Sequence, residues 1–238
     1  MPDHRNHRGA HPEDADDFAE KRWPVLRAAT ADLSWLLTRR YAPVAALKLV
    51  GDHHQLTERQ RRAVLRGACD DGALGRRTAT RIDLPELAGK RVGIDGFNCL
   101  ITIEAMLSGA PIFVGRDGAC RDLASVHGTW RKVEETLPAL EALGAILRST
   151  GVAEAAIYLD RPVGNSGRLR GMIEELFEGG PIPALVTLHD AVDPVIVAEE
   201  RIIASSDSWI LDHAQRWVDL PALVSAHKDL RFPRIDLG

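Results

Sequence analysis

Cysteine is scarce in this sequence. The three present, Cys69, Cys99 and Cys120, form no CxxC pair. That argues against a disulfide framework and a cysteine-rich zinc site, and it fits a reducing cytoplasm. Aromatic residues make up 5% of the chain, which is little material for stacking nucleobases. Trp23, Trp35, Trp130, Trp209 and Trp217 fall near apolar stripes or strand ends and read as core. No apolar run approaches the roughly 18 residues of a membrane span. The stretch from Met1 to Glu20 lacks the apolar centre of a secretory signal. No membrane partner is expected, and there is neither an internal repeat nor a low-complexity tract.

What is there is ordinary globular material: 238 residues, 45% hydrophobic and 27% charged. That length suits one large domain or two small ones. The net charge of −4 conceals an asymmetry. Residues 21–91 hold 15 Lys and Arg against 7 Asp and Glu, while residues 92–238 hold 13 against 21. The first 20 residues hold 2 against 6. A basic surface attracts polyanions; an acidic one repels them unless its carboxylates hold cations.

Three regions are expected. Residues 1–20 mix His4, His7 and His11 with acids and lack apolar periodicity, so they read as a disordered leader. Residues 21–89 read as a basic helical module. Pro24 opens a helix to about Tyr41, and Thr57-Glu58-Arg59-Gln60 matches a capping box that opens another. Arg59, Arg62 and Arg66 share one face of that second helix, either as a solvated face or as contacts to phosphate. Turn-forming residues between 70 and 90 mark a linker. Residues 90–238 alternate strand-like and helix-like patterns, the mark of an α/β fold with a parallel sheet covered on both faces. A helical stripe is expected from Val126 to Leu147, kinked or split at Pro138. Asp193 before Pro194 reads as a helix N-cap.

Ligands of open α/β sheets bind beyond the carboxyl ends of the strands. Carboxylates stand at several such ends: Asp95, Asp160, the pair Asp190 and Asp193, and Asp207. Each alone is explained by a cap or a turn. Together they point to a shared site. Clustered carboxylates take up protons or bind a cation, and oxygen donors without Cys or His suit Mg²⁺ or Mn²⁺. Such a cluster is equipped for attack of water on a phosphodiester. Asn98, Ser205 and Ser206 are placed to orient that water.

The motifs Val92-Gly-Ile-Asp95-Gly-Phe-Asn98 and Ile203-Ala-Ser-Ser-Asp207-Ser resemble the first and late strands of PIN-like nucleases, especially the NYN branch. More narrowly, Leu47-Lys-Leu-Val-Gly-Asp52, Arg59-Gln-Arg61 and Asp160-Arg-Pro-Val-Gly-Asn-Ser166-Gly resemble a prokaryotic family joining a small N-terminal domain of unknown function to a PIN-like part. The resemblance implies a three-layer α/β/α sheet and a metal-dependent ribonuclease site. It places Asp95, Asp193 and Asp207 on the metal-binding acids. Asp160 is added by the strand-end argument. The resemblance also expects an acid on an early helix, with Glu104 available and Glu134 or Glu135 as substitutes.

The expected function is therefore a cytoplasmic, Mg²⁺- or Mn²⁺-dependent nuclease, with RNA, single-stranded or structured, as partner. Its catalytic candidates are Asp95, Asp160, Asp193, Asp207, Asn98 and Ser206. Arg59, Arg62, Arg66, Arg121 and Arg131 would meet substrate phosphate, with His127 assisting as acid or base. For the stretch from Asp117 to Arg131 the residues themselves favour a self-satisfied loop, with Arg121 paired to a local carboxylate, over contact with phosphate. Asn165 and Ser166 open a helix, as caps or as a phosphate cradle. The rival functions are a catalytically inactive RNA-binding or docking module and a small-molecule phosphohydrolase. The sequence leaves a homo-oligomer open.

Overall fold

The computed structural model describes residues 6–124 and 128–238. His4, Val126 and His127 lie outside the described residues.

The chain opens with helices: α1 (Asp14–Asp17), α2 (Trp23–Thr38), α3 (Pro43–His53), α4 (Glu58–Gly67) and α5 (Asp71–Thr80). Pro24 and Pro43 sit in first turns, where a missing N–H costs nothing. Thr57 caps α4 through the expected box: its hydroxyl accepts the Gln60 N–H, and the Gln60 side chain accepts the Thr57 N–H. Leu26, Ala29, Leu33, Val50, Ala63 and Val64 form the buried centre of this bundle.

Then come β1 (Arg91–Asp95), α6 (Gly96–Leu107), β2 (Ile112–Val114), β3 (Cys120–Arg121), α7 (Thr136–Ser149), β4 (Glu154–Asp160) and α8 (Ser166–Phe177). The chain finishes through β5 (Ala184–His189), α9 (Val192–Ala198), β6 (Ile202–Ala204), α10 (Ser208–His213), β7 (Trp217–Val218), α11 (Leu220–Lys228) and β8 (Arg234–Asp236). Five strands form one parallel sheet in the order β5-β4-β1-β6-β7. Both faces are covered. Val92, Ile94, Ala155, Ile157 and Leu159 meet α6, α7, α8 and α11 on one face. The alternate residues Ala156, Tyr158 and Ile203 meet α9 and α10 on the other. The fold is thus α/β in three layers, preceded by a helical region.

Several expectations are corrected. Residues 6–20 are docked: Phe18 packs edge-on against Phe113, and Arg8 reaches the buried Glu104 at 2.7 Å. These long-range contacts order a segment that has no periodicity of its own. The expected linker contains α5. After it, the Ile82 N–H donates to the Trp217 carbonyl along the sheet edge, and Leu87 enters the sheet core. In the described part of the stripe, from residue 128 on, the helix begins at Thr136, so Pro138 lies in a first turn and kinks nothing. Trp130 is fully buried outside any helix. No sequence pattern announces the strand β8. It joins β2 and β3 in a small second sheet between the helical region and α6. Among the described residues no helix is long and apolar enough to cross a membrane.

Candidate functional site

Strand order reverses at β1. Its chain successor in the sheet, β4, lies on one side, and the later strand β6 lies on the other. A crevice at such a reversal is where open α/β sheets bind ligands. Ile94 stands opposite Ala204, so the next residues, Asp95 and Ser205, leave the sheet side by side. Asp95 pairs with Tyr158 in the other direction, and β4 runs two residues further to Asp160.

Hydrogen bonds knit the crevice together. The Ser205 hydroxyl donates to Asp95 Oδ2 at 2.8 Å and accepts the Asp207 N–H at 3.0 Å. Asp95 Oδ1 accepts the Asn98 N–H at 3.4 Å and so caps α6. Asn98 Oδ1 accepts the Ser206 N–H at 2.8 Å and the Ser206 hydroxyl at 3.0 Å. Asp207 Oδ1 caps α10 through the Trp209 and Ile210 N–H groups. Asp193 is not the N-cap of α9. That position is Ala191, and Asp193 lies within the first turn. Capping therefore does not explain Asp193.

Two of the four acids, Asp95 and Asp193, feel the charges of Asp207 and Asp160. Burial pushes the Asp95 carboxyl up to about 7, and the charges of Asp207 and Asp160 add to the rise. Burial also raises Asp160, against a hydrogen bond from the Val192 N–H. Asp193 is raised by burial, then by Asp207 and Asp160. Among the described residues no Lys, Arg or His forms an ion pair with any of the four. Elsewhere Asp52, Asp117, Asp190 and Asp212 each face a cation. As they stand, no three or more His, Cys, Asp or Glu among the described residues are disposed to hold a metal ion. The donor set nevertheless has the chemistry of a hard divalent cation site: oxygens only, crowded negative charge and no competing cation.

Other candidates fall elsewhere. Glu104 is fully buried and bound by Arg8 and by the Thr136 hydroxyl, so it is a structural acid. Glu135 lies 2.6 Å from His7 Nδ1. Arg121 is buried at 2% exposure, so it cannot meet substrate. Its guanidinium grips Asp117 at 2.8 and 2.7 Å and donates to the Ser206 carbonyl at 2.9 Å. Arg59 is likewise spent, on Asp14 and on the Gly9 carbonyl. Arg62 is exposed and Arg66 half-buried, and neither has a side-chain partner among the described residues. Arg131 is exposed, and its carbonyl accepts from Arg8. Asp190 is exposed and faces Arg161. Asn165 adopts φ 68° and donates to the Trp130 carbonyl at 2.9 Å, so its side chain does not cap α8.

Two features escaped the sequence. Arg77, within the supposed linker, holds Asp117 at 2.7 Å, Asp212 at 2.9 Å and the Ser208 carbonyl at 3.1 Å. With Arg121 it braces the backbone on both sides of Asp207. No local pattern foretells it, because its partners come from distant segments. Asp219 follows β7 as the other acids follow their strands. It is buried and accepts the Cys120 and Ala222 N–H groups, so at this strand end the acid is purely structural.

Comparison with known proteins finds two family models. One, a domain of unknown function (DUF5616), matches residues 84–223, and the other, a protein of unknown function (DUF434), matches residues 25–79. The chain is 31% identical over 199 residues to a Methanocaldococcus jannaschii protein that bears the name Uncharacterized protein MJ0935. The match covers 83% of this chain and 95% of that relative. No solved structure matches.

Proposed function

We propose that this chain, which belongs to the DUF5616 family, is a divalent-metal-dependent PIN-like nuclease that hydrolyses RNA phosphodiesters at the carboxyl edge of its sheet. One observation carries the reading. Arginines and lysines pair with several acids elsewhere, yet among the described residues no cation pairs with Asp95, Asp160, Asp193 or Asp207, where the strand order reverses. Carboxylates left in that state have a use for a bound ion. The motifs around Asp95 and Asp207 support the PIN-like assignment by their resemblance.

Asp95, Asp193 and Asp207 would hold Mg²⁺ or Mn²⁺, with Asp160 beside them. When bound, the ion supplies water of lowered pKa and offsets charge on the phosphate. The chain's own groups do the rest. Asn98 spends its Oδ1 on Ser206, and its NH₂ makes no hydrogen bond among the described residues. That NH₂ is free to donate to a phosphate oxygen or to the attacking water. Arg121 and Arg77 hold the Ser206–Ser208 backbone, so Asp207 meets substrate in a fixed place. Arg62 and Arg66 remain the helical region's candidates for phosphate contact.

The test is cleavage of end-labelled single-stranded RNA with Mn²⁺ by the wild-type chain and by Asp95→Asn. Cleavage by the first and its loss in the second are expected. Equal rates, or no cleavage over a broad RNA set, would overturn the reading. A second reading, a catalytically silent RNA-binding or docking module, is favoured by the absence of a preassembled metal cage among the described residues. Such a module keeps its RNA affinity in EDTA, with steep salt dependence and no cleavage.

A further inference from the structure

We infer that Trp209 and His213 form a stacking platform for one unpaired nucleobase of single-stranded RNA, next to the phosphodiester held at the carboxyl edge; this rests on the nuclease reading above.

The helix α10 leaves the sheet at Asp207, so its first turn lies on the carboxyl edge. Its register is dictated from two sides. Ile210, Leu211 and Ala214 are buried against the sheet. Arg77 takes the Ser208 carbonyl and the Asp212 carboxylate. What remains is the outward pair at i and i+4, Trp209 and His213. Trp209 is 44% exposed. Its ring lies flat against the imidazole of His213, with centroids 4.1 Å apart and planes 26° apart.

An exposed indole stabilises no core. Here the imidazole braces it and holds its orientation. The backbone N–H of Trp209 donates to Asp207 Oδ1 at 2.8 Å as part of the helix cap, which sets the residue two positions from one of the four acids. The other strongly exposed tryptophan, Trp35, is different: the Arg39 guanidinium already lies 3.5 Å over its ring, and it belongs to α2.

A nucleobase stacks on such a surface through its π-face, so the contact tolerates any sequence. In a duplex both faces of each base are occupied by its neighbours. A single strand can turn one base out onto the indole while its phosphate reaches the acids. The platform thus selects unpaired RNA, with little preference among bases.

The test uses the full chain carrying Asp95→Asn to prevent turnover. Dissociation constants are measured for labelled oligouridylate, oligoadenylate and a base-free ribose-phosphate chain of equal length. Trp209→Ala is expected to weaken binding of both base-bearing strands about 5- to 150-fold and to leave the base-free chain unchanged. Trp209→Phe restores most of the affinity, and His213→Ala gives an intermediate loss. Unchanged binding by Trp209→Ala, an equal loss toward the base-free chain, or no binding of any strand overturns the platform. The two readings fail separately. Base-dependent binding through Trp209 in a wild-type chain that never cleaves removes the nuclease and keeps the platform. Cleavage with unaltered kcat and KM in Trp209→Ala removes the platform and keeps the nuclease.

Discussion

Two buried aspartates, Asp95 and Asp117, show how neighbours decide the fate of one residue type. Burial pushes both upward. At Asp95 the nearby Asp207 and Asp160 push the same way, and the carboxyl reaches about 7. At Asp117 burial is outweighed by Arg121 and Arg77, and the carboxyl falls to about 2. The consequences for stability have opposite signs. Folded Asp95 keeps a proton that the unfolded chain releases near the ordinary 3.8. Its stabilising effect is complete below that value and is lost as pH rises through about 7. Asp117 contributes stability above the ordinary 3.8 that is lost as pH falls toward about 2. In EDTA, the wild-type chain should therefore lose stability relative to Asp95→Asn between acid and neutral pH, on the order of a few kcal/mol. Urea unfolding of both chains across that range measures it, and parallel curves would contradict the assignment. The strand-end position of Asp95 was legible from its motif. The pairing of Arg121 with a local carboxylate was legible too, and Asp117 four residues earlier is that partner; its full burial was not, since a two-residue strand has no periodicity to announce it.

Arginine side chains join elements that the chain order keeps apart. Arg77 on α5 and Arg121 on β3 share Asp117 in the turn before β3, and both hold the loop between β6 and α10. Deleting Arg121 leaves Asp117 with one of its two arginine partners in a buried site. Arg121→Ala should cost about 3–5 kcal/mol, as removal of one partner of a buried ion pair does. Denaturant unfolding at neutral pH reads this, and a loss within the usual surface range of about 0.5 kcal/mol would show that the brace carries no load. Helix α5 reads as a linker in the sequence because Gly72 and Gly75 lower its intrinsic propensity. Tertiary anchoring at Arg77 overrides that preference. Pro138 misleads for a related reason. The apolar spacing continues across it, but a proline at a first turn loses nothing, so the helix starts there instead of bending.

The whole molecule is clasped by its two ends. Residues 6–20 hold α6 through Arg8 and β2 through Phe18. At the other end β8 pairs with β2, and Ile235 and Leu237 complete the core of the helical region. The Arg27 guanidinium donates to the Asp236 carbonyl at 2.8 Å and closes the clasp. A fragment of residues 84–223, the span of the larger family match, would leave Glu104 buried without Arg8 and Phe113 without cover. Expressed alone it should lack a cooperative unfolding transition, whereas the full chain should unfold in one. Calorimetry of both decides this, and a cooperative transition in the fragment would show the clasp to be dispensable.

Local sequence determined the five strands of the main sheet, most of the helices and the acids at the strand ends. Each of those is written in the periodicity and capping residues of a short segment, which dictate what faces the core. Only the tertiary structure decided which charges are spent and which are left. Arg59, Arg77 and Glu104 find charged partners far away in the chain, and Trp209 is turned outward by packing on the rest of α10. The physical reason is range. A hydrophobic stripe acts over a few residues, but the pairing of a charge depends on where the chain crosses itself, and the order of strands in the sheet sets those crossings.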